Sequence, residues 1–126
     1  MPDHVVNGCA RITTELEFLS PSIPKVVFGV NGDLLYASRS PIPGSKDGNF
    51  YEAHKQICIY AFPKKYLSFF GVSQRKSLFE GIEDIEILRF LELGVRVNMV
   101  ELSGKSFAVD TPEDLANVKK MLSVES

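Results

Sequence analysis

The sequence predicts an α/β domain built on a mixed sheet with flanking helices, and three observations carry that prediction. Two β-rich runs, "KVVFGV" (25–30) and "LLYASRS" (34–40), are joined by "NGD", a compact turn of the kind that closes a hairpin. "QICIYAF" (56–62) is a nearly continuous apolar stretch of strand length, which predicts a central strand buried on both faces. "SLFEGIEDIEILRFLELG" (77–94) has helical spacing, with Ile82, Ile85, Leu88 and Leu91 falling on one stripe.

The remaining elements follow along the chain. The first two dozen residues are weakly patterned: "HVVNG" (4–8) reads as a short strand, and "TTELEFLSPSIP" (13–24) as a loop ending in proline. After the hairpin, "PIPGSKDGNF" (41–50) holds two prolines and two glycines and must be an exposed loop. "PKKYLSFFG" (63–71) fits a short helix with Pro63 in its first turn and Gly71 beyond its end. In the long helix, Ser77 and Glu80 form a capping-box pattern and Gly94 is the stop, while Glu80, Glu83, Asp84 and Glu86 mark its other faces. "VRVNMVEL" (95–102) alternates as a strand does. "FAV" (107–109) reads as a buried strand. It is followed by a helix that Thr111 caps, with Pro112 in its first turn, burying Leu115, Val118, Met121 and Leu122.

Composition narrows the class. At 126 residues the chain is one modest domain, large enough for a real core and short for a complete α/β enzyme. Its 44% hydrophobic and 24% charged content is that of an ordinary soluble domain. A net charge of −2 gives no reason to expect nucleic acid or an anionic membrane as partner. No apolar run approaches a membrane span, and "MPDHVVNGCA" lacks the basic and apolar regions of a signal peptide. Cys9 and Cys58, with no His/Cys cluster after them, read as reduced, buried thiols of a cytoplasmic protein.

Several polar residues are candidates for chemistry. Thr111 can cap the last helix, which leaves Asp110 over, just past a strand and just before a helix, where α/β sheets place ligand sites. Asp110 is either an acid favoured by the helix dipole, at roughly 0.3–1 kcal/mol, or a ligand for a hard cation such as Mg²⁺. Arg39, at the end of a strand and the start of the Pro/Gly loop, is either a surface arginine or a bidentate clamp for a carboxylate or phosphate. Glu80, Glu83 and Glu86 are either a solvated acidic face or acceptors for sugar hydroxyls. Gln56 and His54 lie at the entry to the apolar strand and can point into a cleft, the lone histidine carrying little weight. Neither GxxxxGK[ST] nor GxGxxG occurs, and no Ser/His/Asp or Cys/His pairing argues for nucleophilic catalysis.

Taken together, "LLYASRSPIPG", "KQICIYAF", "LFEGIEDIEILRFLELG" and "FAVDTPEDLANVKKML" resemble the C-terminal half of the 3-deoxy-manno-octulosonate cytidylyltransferases (CMP-Kdo synthetases), relatives of the acylneuraminate cytidylyltransferases. The resemblance runs from about Val5 to Leu122, and its most specific pieces are "SRSPIP", the "IE.IE.LR" helix and "VDTPEDL". It implies a partial nucleotide-diphospho-sugar transferase (Rossmann-like) fold over residues 1–126, the sugar-binding and dimerisation part of a cytoplasmic transferase of lipopolysaccharide biosynthesis. In that family the anomeric hydroxyl of an acidic sugar attacks the α-phosphate of CTP and releases pyrophosphate. Asp110 would be one of two aspartates holding Mg²⁺, Arg39 would face the sugar acid, and Glu86 would hydrogen-bond sugar hydroxyls. Gln56 stands where some members have a sugar-contacting histidine. The family's N-terminal CTP-gripping loop and its other metal-binding aspartate have no counterpart in these residues. The chain is therefore expected to be inactive alone, and to form a homodimer. The alternative is a non-catalytic module that pairs with a separate nucleotide-binding N-terminal half.

Overall fold

A computed structural model of the chain describes residues 4–70 and 75–102. The hairpin forms as the sequence predicts: β2 (Lys25–Phe28) and β3 (Leu34–Ser38) pair antiparallel. Gly32 makes the turn possible at φ +86°, a conformation that a side chain resists, and its N–H donates to Gly29 O at 2.9 Å. Five strands make one sheet in the order β3-β2-β4-β1-β5, with β1 (Val5–Arg11), β4 (His54–Ala61) and β5 (Val97–Glu101) completing it. β1 runs antiparallel to β4 and parallel to β5, so the sheet is mixed.

The N-terminal segment is more regular than its pattern suggests. "HVVNG" is the start of a seven-residue strand that sits inside the sheet. Within the expected loop 13–24, Thr14 accepts the Glu17 N–H and caps a short helix, α1 (Glu15–Leu19). Phe18 anchors α1 by packing on Phe50 with ring centroids 4.9 Å apart, in a small cluster with Ile12 and Ala53. That long-range contact, invisible to local pattern, is what makes five residues helical.

The largest departure lies in the helical stretch. In place of one helix over 77–94 there are two, α2 (Leu78–Glu83) and α3 (Ile87–Glu92). Asp84 breaks the run by adopting a left-handed conformation, φ 57°, and its N–H closes α2 on Glu80 O at 2.8 Å. The Ser77–Glu80 capping box forms as expected, and Gly94 ends α3 at φ +79°. The Glu92 carboxylate returns to accept the Phe79 and Glu80 N–H groups at 2.9 and 3.1 Å, tying the end of α3 to the start of α2. The break re-aims the stripe. Ile85 and Leu88 are buried and Leu91 partly so, but Ile82 is 72% exposed. Glu80, expected on a solvated face, is buried against Arg89.

The main core lies between one face of the sheet and α3 with the turn before it, where Val5, Cys9, Val97 and Met99 meet Ile85, Ile87, Leu88 and Phe90. Val6, Ile59, Val100 and Leu102 form a second cluster on the opposite face. β4 is central in the sheet, but it is not buried on both faces: most of it is half-buried and Cys58 is exposed. The short helix expected after Pro63 forms as a 3₁₀ helix over Lys64–Phe70. The strand and helix read at 107–122, Asp110 with them, lie outside the described residues.

Candidate functional site

Period-two geometry gives β4 two unlike faces. Ile57, Ile59 and Ala61 join the second apolar cluster, which leaves Gln56, Cys58 and Tyr60 on the face toward α2–α3. The pairing with β1 is irregular here: Asn7 faces Tyr60, whereas Gly8 faces Ile57, so Cys58 and Ile59 are passed over. Asn7, fully buried on β1, repairs the ladder by donating from Nδ2 to Ile57 O and Ile59 O, both at 3.0 Å.

From that repair a polar cluster grows outward. Gln56 Nε2 donates to Asn7 Oδ1 at 3.0 Å and to the Tyr60 hydroxyl at 3.3 Å. Burial pushes the Tyr60 phenol well above its ordinary value, and the neighbouring Cys58 and Glu86 push it further. One sequence candidate, Gln56, thus contacts Tyr60 directly, while Glu86 acts on the phenol only through its charge and the exposed Cys58 thiol lies beside it. Glu86 itself is exposed, in the turn between α2 and α3. The hydrogen-bonded amide and phenol are chemically suited to hydroxyl-rich ligands, because both can donate and accept. Sequence reasoning did not single out Tyr60, although alternation along "QICIY" places it on the face of Gln56.

Arg39 has a different surrounding. Its Nε, Nη1 and Nη2 donate to the backbone oxygens of Glu83 (2.5 Å), Pro21 (3.0 Å) and Asp84 (2.9 Å). Its own N–H and the Tyr36 hydroxyl donate to the two carboxylate oxygens of Glu83, at 3.0 and 3.1 Å. Burial alone would raise the Glu83 pKa, but hydrogen bonds from Ser38, Arg39 and Tyr36 outweigh it and hold the carboxyl below its ordinary range. Fully buried Lys25 lies nearby and donates to Ser20 O at 2.7 Å; burial and the Arg39 charge lower its pKa, with Glu83 opposing.

The glutamates therefore divide: Glu80 is a core ion pair, Glu83 braces Arg39, and Glu86 is exposed. His54 stands apart, stacked edge-on against Phe28 at 4.9 Å and 3.4 Å from the Glu101 carboxylate. With Phe28, Pro43 and Glu52 it lines a separate cleft of about 210 Å³. Cys9 is buried as expected, Cys58 is not, and both are free thiols. Among the described residues no group of three or more His, Cys, Asp or Glu could hold a metal ion, and no helix is long and apolar enough to cross a membrane.

No protein-family model matches the chain. A 3-deoxy-manno-octulosonate cytidylyltransferase of Thermodesulfovibrio yellowstonii is 41% identical over 132 residues, covering 98% of this chain and 51% of that protein. The enzyme of the same name from Christiangramia forsetii is 42% identical over 108 residues, covering 85% of this chain and 43% of its own length. A solved structure of CMP:2-keto-3-deoxy-manno-octonic acid synthetase complexed with CTP matches the fold with a TM-score of 0.73 at 31% identity, over 98% of this chain and 50% of that one. The chain spans about half the length of the curated relatives it matches. In sequence the chain is similar to about half of these 3-deoxy-manno-octulosonate cytidylyltransferases, and over that half it has the nucleotide-diphospho-sugar transferase fold.

Proposed function

We propose that this chain is the sugar-acid-binding part of a cytidylyltransferase that transfers CMP from CTP to an acidic sugar related to 3-deoxy-manno-octulosonate, for surface polysaccharide synthesis in the cytoplasm. The observation that carries the reading is the hydrogen-bonded Asn7–Gln56–Tyr60 cluster, within a chain whose relatives bear that activity in their names. Gln56 and Tyr60 would engage sugar hydroxyls, and Glu86 would accept from one of them. Arg39 would add positive charge toward the sugar carboxylate from its seat on the α2 carbonyls.

In the reaction the anomeric hydroxyl forms a bond to the α-phosphorus of CTP as the bond to the β-phosphate oxygen breaks, and pyrophosphate leaves. Mg²⁺, which we assign to Asp110 together with donors outside the described residues, supplies charge neutralisation on the phosphates when bound. No glycine-rich phosphate loop occurs in the 126 residues, so we further propose that CTP is held by a nucleotide-binding segment beyond them. A homodimer is the assembly we propose. Its support is the apolar surface of α2, where Leu78, Phe79 and Ile82 are exposed, and the exposed Leu35 on edge strand β3.

Pyrophosphate release tests this reading, with CTP, Mg²⁺ and the sugar acid given first to the chain alone and then with the N-terminal half of a relative. Release that depends on the added half and vanishes in Asp110→Ala is the expected result. Silence in both mixtures, from folded protein, would sink it and favour a non-catalytic partner module.

A further inference from the structure

The buried Asn7 fixes the chemistry that Gln56 presents, and the logic starts from two atoms that cannot change role. Ile57 O and Ile59 O are backbone acceptors, so the group between them must donate, and Asn7 can do so only with its NH₂ end. Its Oδ1 is then directed away as an acceptor and calls for a donor. Gln56 supplies one with Nε2 at 3.0 Å, and spends its second amide proton on the Tyr60 hydroxyl at 3.3 Å. Both N–H groups of Gln56 are thereby committed inward. Its remaining polar atom, Oε1, is a pure acceptor. The Tyr60 hydroxyl accepts from Gln56 and also hydrogen-bonds with the Cys58 side chain.

We propose that Asn7 is a positioning and specificity-determining residue: through the Ile57 and Ile59 carbonyls it locks the Gln56 amide with its oxygen toward the ligand, so that the site selects a ligand group that donates a hydrogen bond there. This rests on the sugar-acid reading above for the identity of the ligand, but the locking of the amide does not. A hydroxyl of the sugar satisfies the requirement; a keto analogue, which offers only an acceptor at that point, or a deoxy analogue, which offers neither donor nor acceptor, does not. A flipped amide would set Nε2 outward and Gln56 Oε1 against Asn7 Oδ1, two acceptors facing each other in a mostly buried place.

Two readouts separate the parts of this proposal. The first is ligand-free: the side-chain amide protons of Gln56, followed by ¹⁵N NMR, are expected to be downfield and slow to exchange. Asn7→Ala is expected to return them to the position and exchange rate of an exposed glutamine. Because Asn7 also holds two carbonyls of β4, Asn7→Ser, which keeps a hydroxyl donor, is measured in parallel with a circular dichroism check on folding. Gln56→Met removes the amide without touching those carbonyls and serves in the second readout. The second readout is calorimetric titration with 3-deoxy-manno-octulosonate on the wild type, Asn7→Ser, Gln56→Met and the double variant. Each single change is expected to weaken binding about tenfold, the scale of one lost hydrogen bond, and the double variant no more than Gln56→Met alone. Gln56 protons that exchange freely in the wild type, or losses that multiply in the double variant, would overturn the proposal. Protected protons in a wild type that binds no sugar acid would overturn the ligand assignment and leave the locked amide standing.

Discussion

Arg89 lays Nε and Nη2 on the two carboxylate oxygens of Glu80, at 2.7 and 3.0 Å, and the pair is almost fully shielded from water. Glu80 Oε1 also accepts the Ser77 N–H at 3.0 Å, so one carboxylate joins the cap of α2 to a side chain of α3. Breaking such a pair strands a charge in the core. Glu80→Ala is expected to cost about 3–5 kcal/mol in urea unfolding. Removing both charges, with Glu80→Met and Arg89→Met together, should cost less than the sum of the single changes, which a double-mutant cycle will read directly.

Arg39 occupies three backbone oxygens, those of Glu83 and Asp84 at the break between the helices and that of Pro21 after α1. Lysine carries the charge but cannot reach three points in a plane. Arg39→Lys is therefore expected to lower stability by about 1.5–3 kcal/mol, the scale of a lost charge-assisted hydrogen bond. Urea denaturation measures it, and an unchanged midpoint would assign the guanidinium to the ligand alone.

Glu83 gives the acid limb of stability a defined sign. Its folded pKa lies below the ordinary 4.5, so the folded state binds fewer protons than the unfolded state as pH falls past that value. The contribution is fully present above about 4.5 and is lost as pH drops through the lower folded value. A thermal-melt series from neutral pH to below 4 should show Glu83→Gln with a flatter acid limb than the wild type. Parallel curves would show that Glu83 is not a source of the acid sensitivity.

The two thiols should differ sharply in reactivity. Burial pushes Cys9 up to about 12, with the Glu101 charge adding to it, whereas Cys58 is exposed beside Tyr60. At neutral pH one thiol per native chain should react rapidly with a disulfide reagent, and the second only on unfolding. Peptide mapping should place the fast label on Cys58. On the sugar-acid reading, that label should also weaken ligand binding, because the thiol adjoins the phenol.

How much of this was legible in the sequence depends on which contacts a feature needed. The hairpin, the alternating β5, the Ser77 cap and the Gly94 stop are local events: turn chemistry, period and capping residues determine them, and they stand where those signals put them. Glu86 and Gln56 were legible as candidates through family motifs, and the structure bonds Gln56 to the Tyr60 phenol. Asp110, the acid that the sequence singled out most sharply, lies outside the described residues. Tertiary structure decided the rest. The 77–94 stripe encodes one helix, and nothing local forbids it. Asp84 turns left-handed in a structure where Arg39, 45 residues away, takes the oxygens freed there. Phe18 makes a helix of an apparent loop because Phe50 receives it, and Glu80 goes inside because Arg89 meets it there. Asn7 gave no sequence signal at all, since its role exists only where β4 passes over two residues and leaves carbonyls to satisfy. Local signals determine where elements start and stop; buried charge and unpaired backbone, which cost most when unanswered, are settled only when distant segments meet.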